Sequence, residues 1–271
     1  MSDVESTRER IEDVLFRAGY WLVFAIIMLP IVVVFVTSFQ QGEYLTFPPQ
    51  EFSLRWYTQF FASAEWLSAV RDSLVIGVGA SVLSTALGVT GSLAVQRSDS
   101  TLARVLPPLI ILPLLLPPVV IGLTLLIYFN RIGFGNTYLN IVVAHTLWAT
   151  PLVFFVMQSV FARFDWDLRD AGMDLGASPS RVFYHVVLPN VRSGVVISAV
   201  VAFIVSLQEF IMALFLKSYE VQTVPVLAWT SLQSSLTPLV SVVSAFLVAI
   251  SIVGVLVSAA LMNIEWLAEH L

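Results

Sequence analysis

Few side chains in this 271-residue sequence can do chemistry, and their types narrow the possibilities quickly. There is no cysteine, and the only histidines are His145, His185 and His270. Thiolate zinc sites, disulfide frameworks and thiol nucleophiles are therefore excluded. No His-Glu-x-x-His spacing collects a metal, and no two aspartates share an apolar stretch as an acid pair would require. No catalytic and no metal-ligating residue is assigned. The sole lysine, Lys217, follows Met212-Ala213-Leu214-Phe215-Leu216 without a glycine. A phosphate-cradling Gly-x4-Gly-Lys-Ser/Thr loop is absent, so the chain cannot bind and hydrolyse ATP by that route.

Glu209 is the sharpest single residue, an acid inside the uncharged interval from Arg192 to Lys217. A carboxylate at such depth is costly and marks a pathway, a gate or an ion pair. At ~1.5 Å per residue from Ser193 it lies about 24 Å along its helix, in the outer half. A cationic solute would be attracted to it there, and Tyr128, Trp148 and Trp229 offer aromatic faces for ammonium groups. The structural alternative pairs Glu209 with Arg71 or a cation of another chain, or lets it snorkel outward. His145 reads as a polar packing or pathway residue rather than as a base.

The elements that must carry these residues follow from composition. The chain is 58% apolar and 11% charged, with mean hydropathy +0.90; soluble domains run near 25% charged. With net charge −5 and 13 basic residues there is no patch for nucleic acid. Each span needs about 20 apolar residues, and charge-free intervals supply six: Arg17 to Glu43, Asp72 to Arg97, Arg104 to Arg131, Arg131 to Arg163, Arg192 to Lys217, and a last one near Leu239 to Met262. The reading is an all-α integral membrane protein with six transmembrane helices. An outer-membrane barrel would show short alternating segments, which are missing. The division is a tail over 1–17, a first span over 18–40, an external loop over 41–68, a core over 69–262 and a second tail over 263–271. Nine Arg lie on one side, and three Arg with Lys217 on the other. Positive charge collects inside, so both termini are placed in the cytoplasm of a cell-membrane protein.

Local patterns refine this. Ser6-Thr7-Arg8-Glu9 reads as a capping box opening a short interfacial elbow helix, with Arg8–Glu12 and Asp13–Arg17 as pairs one turn apart. Gly77, Ser81, Ser84, Gly88 and Gly91 form a small-residue stripe where another helix can approach closely, and Ser244, Ser251, Gly254 and Ser258 form a looser one. Pro107-Pro108, Pro113 and Pro117-Pro118 imply that the third span is bent or broken.

The segment 163–192 is the largest cytoplasmic stretch. A short helix is expected over Leu168 to Leu175, stopped by Gly176. A second begins after Ser178-Pro179 and carries Val182, Phe183, Val186 and Val187 on one face, with Pro189 after its end. Here Asp170-Ala171-Gly172, three residues, Gly176, nine residues, Val186-x-Leu188-Pro189 resembles the signature loop of type I ABC-importer permeases. That signature is Glu-Ala-Ala, three residues, Gly, nine residues, Ile-x-Leu-Pro. The spacing is intact, with Asp170, Gly172 and Val186 departing by type. Phe47-Pro48-Pro49 with Phe52-Ser53-Leu54-Arg55-Trp56-Tyr57, Ala144-His145-Thr146 and Ser206-Leu207-Gln208-Glu209-Phe210 look like the spermidine/putrescine group, specifically its second permease subunit. Gln208 stands where that group usually has the first member of an acidic pair or of a Phe/Asp-acid pair.

The resemblance implies a type I ABC importer permease fold with spans 2–6 as the core. Asp170, Ala171, Gly172, Gly176, Ala177, Leu188 and Pro189 would couple to an ATPase subunit, and Ser206, Gln208, Glu209 and Trp148 would line the substrate pathway. It further implies a heterodimer with a second homologous permease, two ATPase subunits that use ATP and magnesium, and an extracytoplasmic solute-binding protein. No cofactor is expected in this chain. A polyamine is the expected solute. The competing reading from another class is a secondary transporter or channel without an ATPase; a purely structural membrane subunit comes third.

Overall fold

The computed structural model describes the backbone of residues 2–98, 100–234 and 237–269, and the side chains within 13–98, 100–101, 103–234 and 237–260. The described elements are helices, with one isolated bridge between Gln40 and Phe52. Five helices are long and apolar enough to cross a membrane, and a bent pair makes the sixth span. That pair is α4 (Thr101–Leu115) and α5 (Pro118–Ile132), which meet at 99°. Pro118 opens α5 at its first position, where the missing N–H is not needed. The broken third span expected from its prolines is therefore present.

Two units are distinguished within the chain. The first comprises residues 1–63 and 231–246. It contains α1 (Ser2–Ser38), α2 (Arg55–Ala62) and the opening of α12 (Leu239–Glu269). Thr37 donates to Ser241 Oγ at 3.0 Å, and Phe60 stacks near Phe246 with centroids 5.3 Å apart. Trp56 Nε1 donates to the Gly42 carbonyl, folding the external segment back on α2. Helix α1 runs unbroken from Ser2, so Ser6 is not a helix start and no boundary separates an elbow from the first span. An apolar run enters directly from a helix-favouring charged one, and nothing in between stops it. Asp13 and Arg17 pair at 3.2 Å as expected. The expected contacts of Ser6, Glu9, Arg8, Ile11 and Glu12 lie outside the described side chains, as do those of the tail over 263–271.

The second unit holds residues 64–230 and 247–271. Helices α3 (Ala64–Arg97), α6 (Thr137–Arg163) and α9 (Leu188–Gln208) pack against one another at its centre. Helix α3 starts at Ala64, earlier than the charge-free interval, because Glu65, Arg71 and Asp72 occupy its opening turns as helix residues. One apolar cluster gathers Ile76, Phe129, Ile141, Val142 and Met212; another gathers Val89, Val153, Met157, Phe161 and Val191.

The small-residue stripe of α3 serves several neighbours rather than one. Gly77 lies against Phe203, Gly88 against Val153 and Gly91 against Ile110. Ser81 donates to the Ala199 carbonyl at 2.7 Å and Ser84 to that of Thr146 at 3.4 Å. The looser series on α12 makes no such approach: a Cβ on Gly254 would meet Val200 at an ordinary 3.7 Å, and Ser251 and Ser258 bond to their own helix. A Cβ on Gly88 would lie 2.5 Å from Val153 Cγ1 and 3.0 Å from the Phe154 nitrogen. Gly88→Ala is therefore expected to destabilise the subunit by about 1–3 kcal/mol through overpacking. Thermal unfolding in detergent reads this out, with Gly19→Ala, where the added Cβ meets nothing within 4 Å, as the control that is expected to show no loss and at most a small helix-propensity gain.

Candidate functional site

Two places in the core unit gather the residues singled out from the sequence. The first is the break at the end of α9. Helix α9 stops at Gln208; Glu209 adopts φ −68° and ψ 125°, and α10 (Ile211–Leu216) starts after it. Such a break leaves amide groups of the new helix without partners. The Glu209 carboxylate supplies them: Oε1 accepts from the Met212 N–H at 2.9 Å and Oε2 from that of Ala213 at 3.0 Å. An acid at a helix N-terminus is favoured by the local dipole as well.

Helix α6 brings His145 to the same point. Its Nε2 lies 3.2 Å from Glu209 Oε2, within the reach of an ion pair. Its Nδ1 is 2.7 Å from Ser206 Oγ, one turn back along α9. The His145 and Glu209 side chains are 0% and 5% exposed. Ser206, His145 and Glu209 thus stand in a row. The order resembles a nucleophile, base and acid, but in this conformation Ser206 is 3% exposed, out of reach of a substrate carbonyl, and both Glu209 oxygens are committed to α10. What this arrangement does is fix a helix break inside the apolar region.

Trp148 is half-buried and packs against the apolar cluster that includes Met212 and Ala213. Gln208 is exposed and does not join the buried row. The alternative partner considered for Glu209 is not found: Arg71 instead reaches its neighbour Asp72, with Nη2 3.1 Å from Oδ1. The His145–Glu209 contact joins helices far apart in sequence, and nothing short-range announces it. In the sequence Asp72 only bounds a charge-free interval, and no short-range pattern marks it. In the structure it is 1% exposed.

The second place is the loop over 163–192. Helix α7 spans Asp167–Asp174 and ends as Gly176 predicts. Gly176 has φ +86°, its N–H donates to the Met173 carbonyl at 2.9 Å, and the Ala177 N–H reaches the Gly172 carbonyl at 3.2 Å. This pair of bonds is the left-handed helix terminator that glycine allows. Ser178 then caps α8 (Pro179–Val182), accepting from the Arg181 N–H. The second helix does not end before Pro189. A π-helical turn over Phe183–Val187 joins α8 to α9, so the loop runs straight into the fifth span. The wider turn accommodates the proline, whose ring would clash with an α-helical carbonyl four residues back.

Gly172 lets α7 lie against α8: a Cβ there would sit 3.3 Å from Val182 Cγ2. Val182 and Val187 are buried, as their face requires. Asp170 accepts from Arg169 at 2.5 Å and lies 3.5 Å from Arg97 Nη2, at the end of α3. Arg97 also covers the Trp166 ring, with Cζ 4.7 Å from its centroid. The loop is thus tied to a core span by one cation that serves an acid and an aromatic ring. Ala171 and Pro189 are exposed, Ala177 and Leu188 half-buried. Leu175 is 89% exposed at the tip, an apolar side chain offered outward by a short braced element.

Comparison with known proteins places this geometry. The family model described as "Binding-protein-dependent transport system inner membrane component" matches residues 85–264. The putrescine transport system permease protein PotI of Escherichia coli (strain K12) is 28% identical over 262 residues, covering 94% of this chain and 92% of that one. The spermidine/putrescine transport system permease protein PotC of Haemophilus influenzae is 24% identical over 243 residues, covering 89% and 94%. Among solved structures, a bacterial ABC transporter involved in the import of the acidic polysaccharide alginate aligns with TM-score 0.69 at 15% identity, over 94% of this chain and 96% of that one. That last likeness shows a shared fold.

Proposed function

The chain belongs to the family of binding-protein-dependent transport system inner membrane components, and on that premise we propose that it forms half of the passage for a polyamine. It is a multi-pass permease subunit of an ABC importer, and a secondary transporter or channel without an ATPase is set aside. A second related permease completes the passage, because one bundle of this kind does not enclose one. Two ATPase subunits use ATP and magnesium, this chain contributing no ATPase site and no cofactor, and a solute-binding protein delivers the substrate. ATP binding draws the paired coupling loops together and rocks the permeases between inward- and outward-facing states. Asp170, Ala171, Gly172 and Gly176, with Leu175 at the tip, make the ATPase contact, and Glu209 with Ser206, Gln208 and Trp148 stands on the substrate route.

One observation carries the substrate reading: likeness over nearly the full chain to two permeases whose names carry putrescine. Proteoliposomes with the assembled transporter and its binding protein test it. Labelled putrescine or spermidine is expected to accumulate only with ATP and the binding protein; accumulation of an anion or a sugar alone overturns it.

The chain's orientation is tested separately. Cysteines placed at Ser178 and Thr237 in this cysteine-free sequence are expected to label from opposite sides, with Ser178 cytoplasmic. Labelling of both by an impermeant reagent on intact cells would reject it.

A further inference from the structure

One cleft in the core unit is not used by the break or by the coupling loop. It has a volume of about 850 Å³ and lies between the start of α3, the segment 217–222 and helix α11 (Val224–Ser234). Helix α3 begins here and ends at Arg97 beside the coupling loop, so the cleft occupies the opposite end of the unit. Its wall carries three acids, Glu65, Asp72 and Glu220, against one cation, Lys217, and the fully exposed ring of Tyr219.

Asp72 differs from the other two acids. It is 1% exposed, and its Oδ1 accepts from the Tyr138 hydroxyl at 2.7 Å and from the Arg71 guanidinium at 3.1 Å. Its Oδ2 has no hydrogen-bond partner. A buried carboxylate oxygen left without a donor is unfavourable, and because Asp72 lines the cleft, a donor entering there reaches Oδ2 when the side chain turns toward it. Glu65 and Glu220 are exposed at the rim. Among the described residues no three His, Asp or Glu side chains converge to hold a metal ion. Negative charges held apart along a cleft suit an extended cation with charge at both ends better than a compact one. The volume falls within the range of small-molecule sites, roughly 300–1,000 Å³.

We propose that this cleft is an entry site for an alkyl diammonium, one ammonium donating to Asp72 Oδ2 and the other held by Glu65 and Glu220. The proposal rests on the polyamine reading and adds to it a place where the solute waits after leaving the binding protein. Tyr219 offers its ring face to the alkylammonium at the rim. Lys217 opposes the ligand and sets an upper limit on how tightly it is held, which favours onward passage.

The test uses the assembled transporter in nanodiscs, with labelled putrescine as the probe and no binding protein, alongside uptake in proteoliposomes with the binding protein present. Asp72→Asn, which retains the acceptor for Tyr138, is expected to raise the putrescine Kd and the apparent KM about tenfold, as loss of a buried charged partner does. Glu65→Gln and Glu220→Gln, at solvent-facing positions, are expected to raise them about twofold to fivefold, and Lys217→Ala to lower them by a similar factor. If wild type takes up no putrescine, the polyamine reading itself fails. If wild type takes it up while the Glu65, Glu220 and Lys217 variants bind and transport like wild type, the cleft assignment is overturned and the polyamine reading stands. Should Asp72→Asn fail to assemble, those three variants decide alone. Magnesium displacing putrescine as well as a second diamine does, at equal ionic strength, would overturn the ammonium assignment.

Discussion

Gly176→Val is expected to insert into the membrane and assemble, yet to transport at a small fraction of the wild-type rate while ATP hydrolysis continues. The reason is conformational. An added Cβ at Gly176 meets no heavy atom within 4 Å, so no clash arises, but the residue sits at φ +86°. That region costs an L-residue about 1–2 kcal/mol, and a β-branched side chain is among the least suited to it. Helix α7 has eight residues and none of them is buried. Its geometry relative to α8 depends on the two terminator bonds that Gly176 permits and on the contact of Gly172 with Val182. A penalty of this size shifts the loop population by a factor of about 5–30. A displaced tip carries Leu175 and Asp170 away from the ATPase contact proposed for them while leaving the spans intact. Gly176→Asn tolerates the left-handed region and is expected to keep most of the transport. Binding-protein-stimulated ATPase activity and uptake are measured on the same preparation. Normal uptake by a fully assembled Gly176→Val transporter would remove the loop from coupling.

This loop is also where the sequence was most legible. Gly176, Ser178 and Pro179 act within a few residues of where they stand, so a stop, a cap and a restart could be placed without any knowledge of packing. The spans were legible for the same kind of reason, since apolar length against bilayer thickness is a local property, and even the break at Pro117-Pro118 follows from lost donors. What escaped was set by contacts across the bundle. Pro189 looked like a terminator because a proline ends an α-helix; the π-helical turn over Phe183–Val187 absorbs it, and only the continuity of α8 with the fifth span shows why. The stripe on α3 was visible as spacing, but its division among Phe203, Val153 and Ile110 depends on three different helices. Ser6 looked like a cap because its residue types suit one, while the helix had already begun at Ser2. Asp72 carries no local pattern, and the motif around His145 does not name its partner. Their roles come from Tyr138 and Glu209, which tertiary packing brings to them.

Glu209→Gln is expected to lower polyamine uptake at least about fivefold while assembly and basal ATP hydrolysis persist. The carboxylate accepts two backbone N–H groups, from Met212 and Ala213; the amide keeps one acceptor and turns an NH2 group toward the other donor. One buried amide left unpaired costs about 1–3 kcal/mol, which weakens the start of α10 without abolishing the apolar packing of Met212 and Ala213. The substitution also removes the charge facing His145 and, on the proposed route, the charge facing an ammonium. These contributions separate by measurement. If Glu209 acts only through the helix break, uptake falls through turnover, the apparent KM for putrescine stays put, and Glu209→Asp at least partly restores function if the shorter carboxylate still reaches either N–H. If the solute contacts it, the KM rises as well and the loss is larger for a diamine than for a monoamine carried by the same assembly. His145→Gln reports on the pair: coupling between the two sites in a double-mutant cycle is expected because they touch at 3.2 Å. Loss of assembly in Glu209→Gln would assign the residue to structure alone, and unchanged uptake would take it off the route. The cost of burying an acid in the fifth span is met in this conformation by two backbone amides and an imidazole. On the proposed route a passing ammonium would compete with α10 for the carboxylate, and an opening of the break between α9 and α10 would be part of letting the solute through.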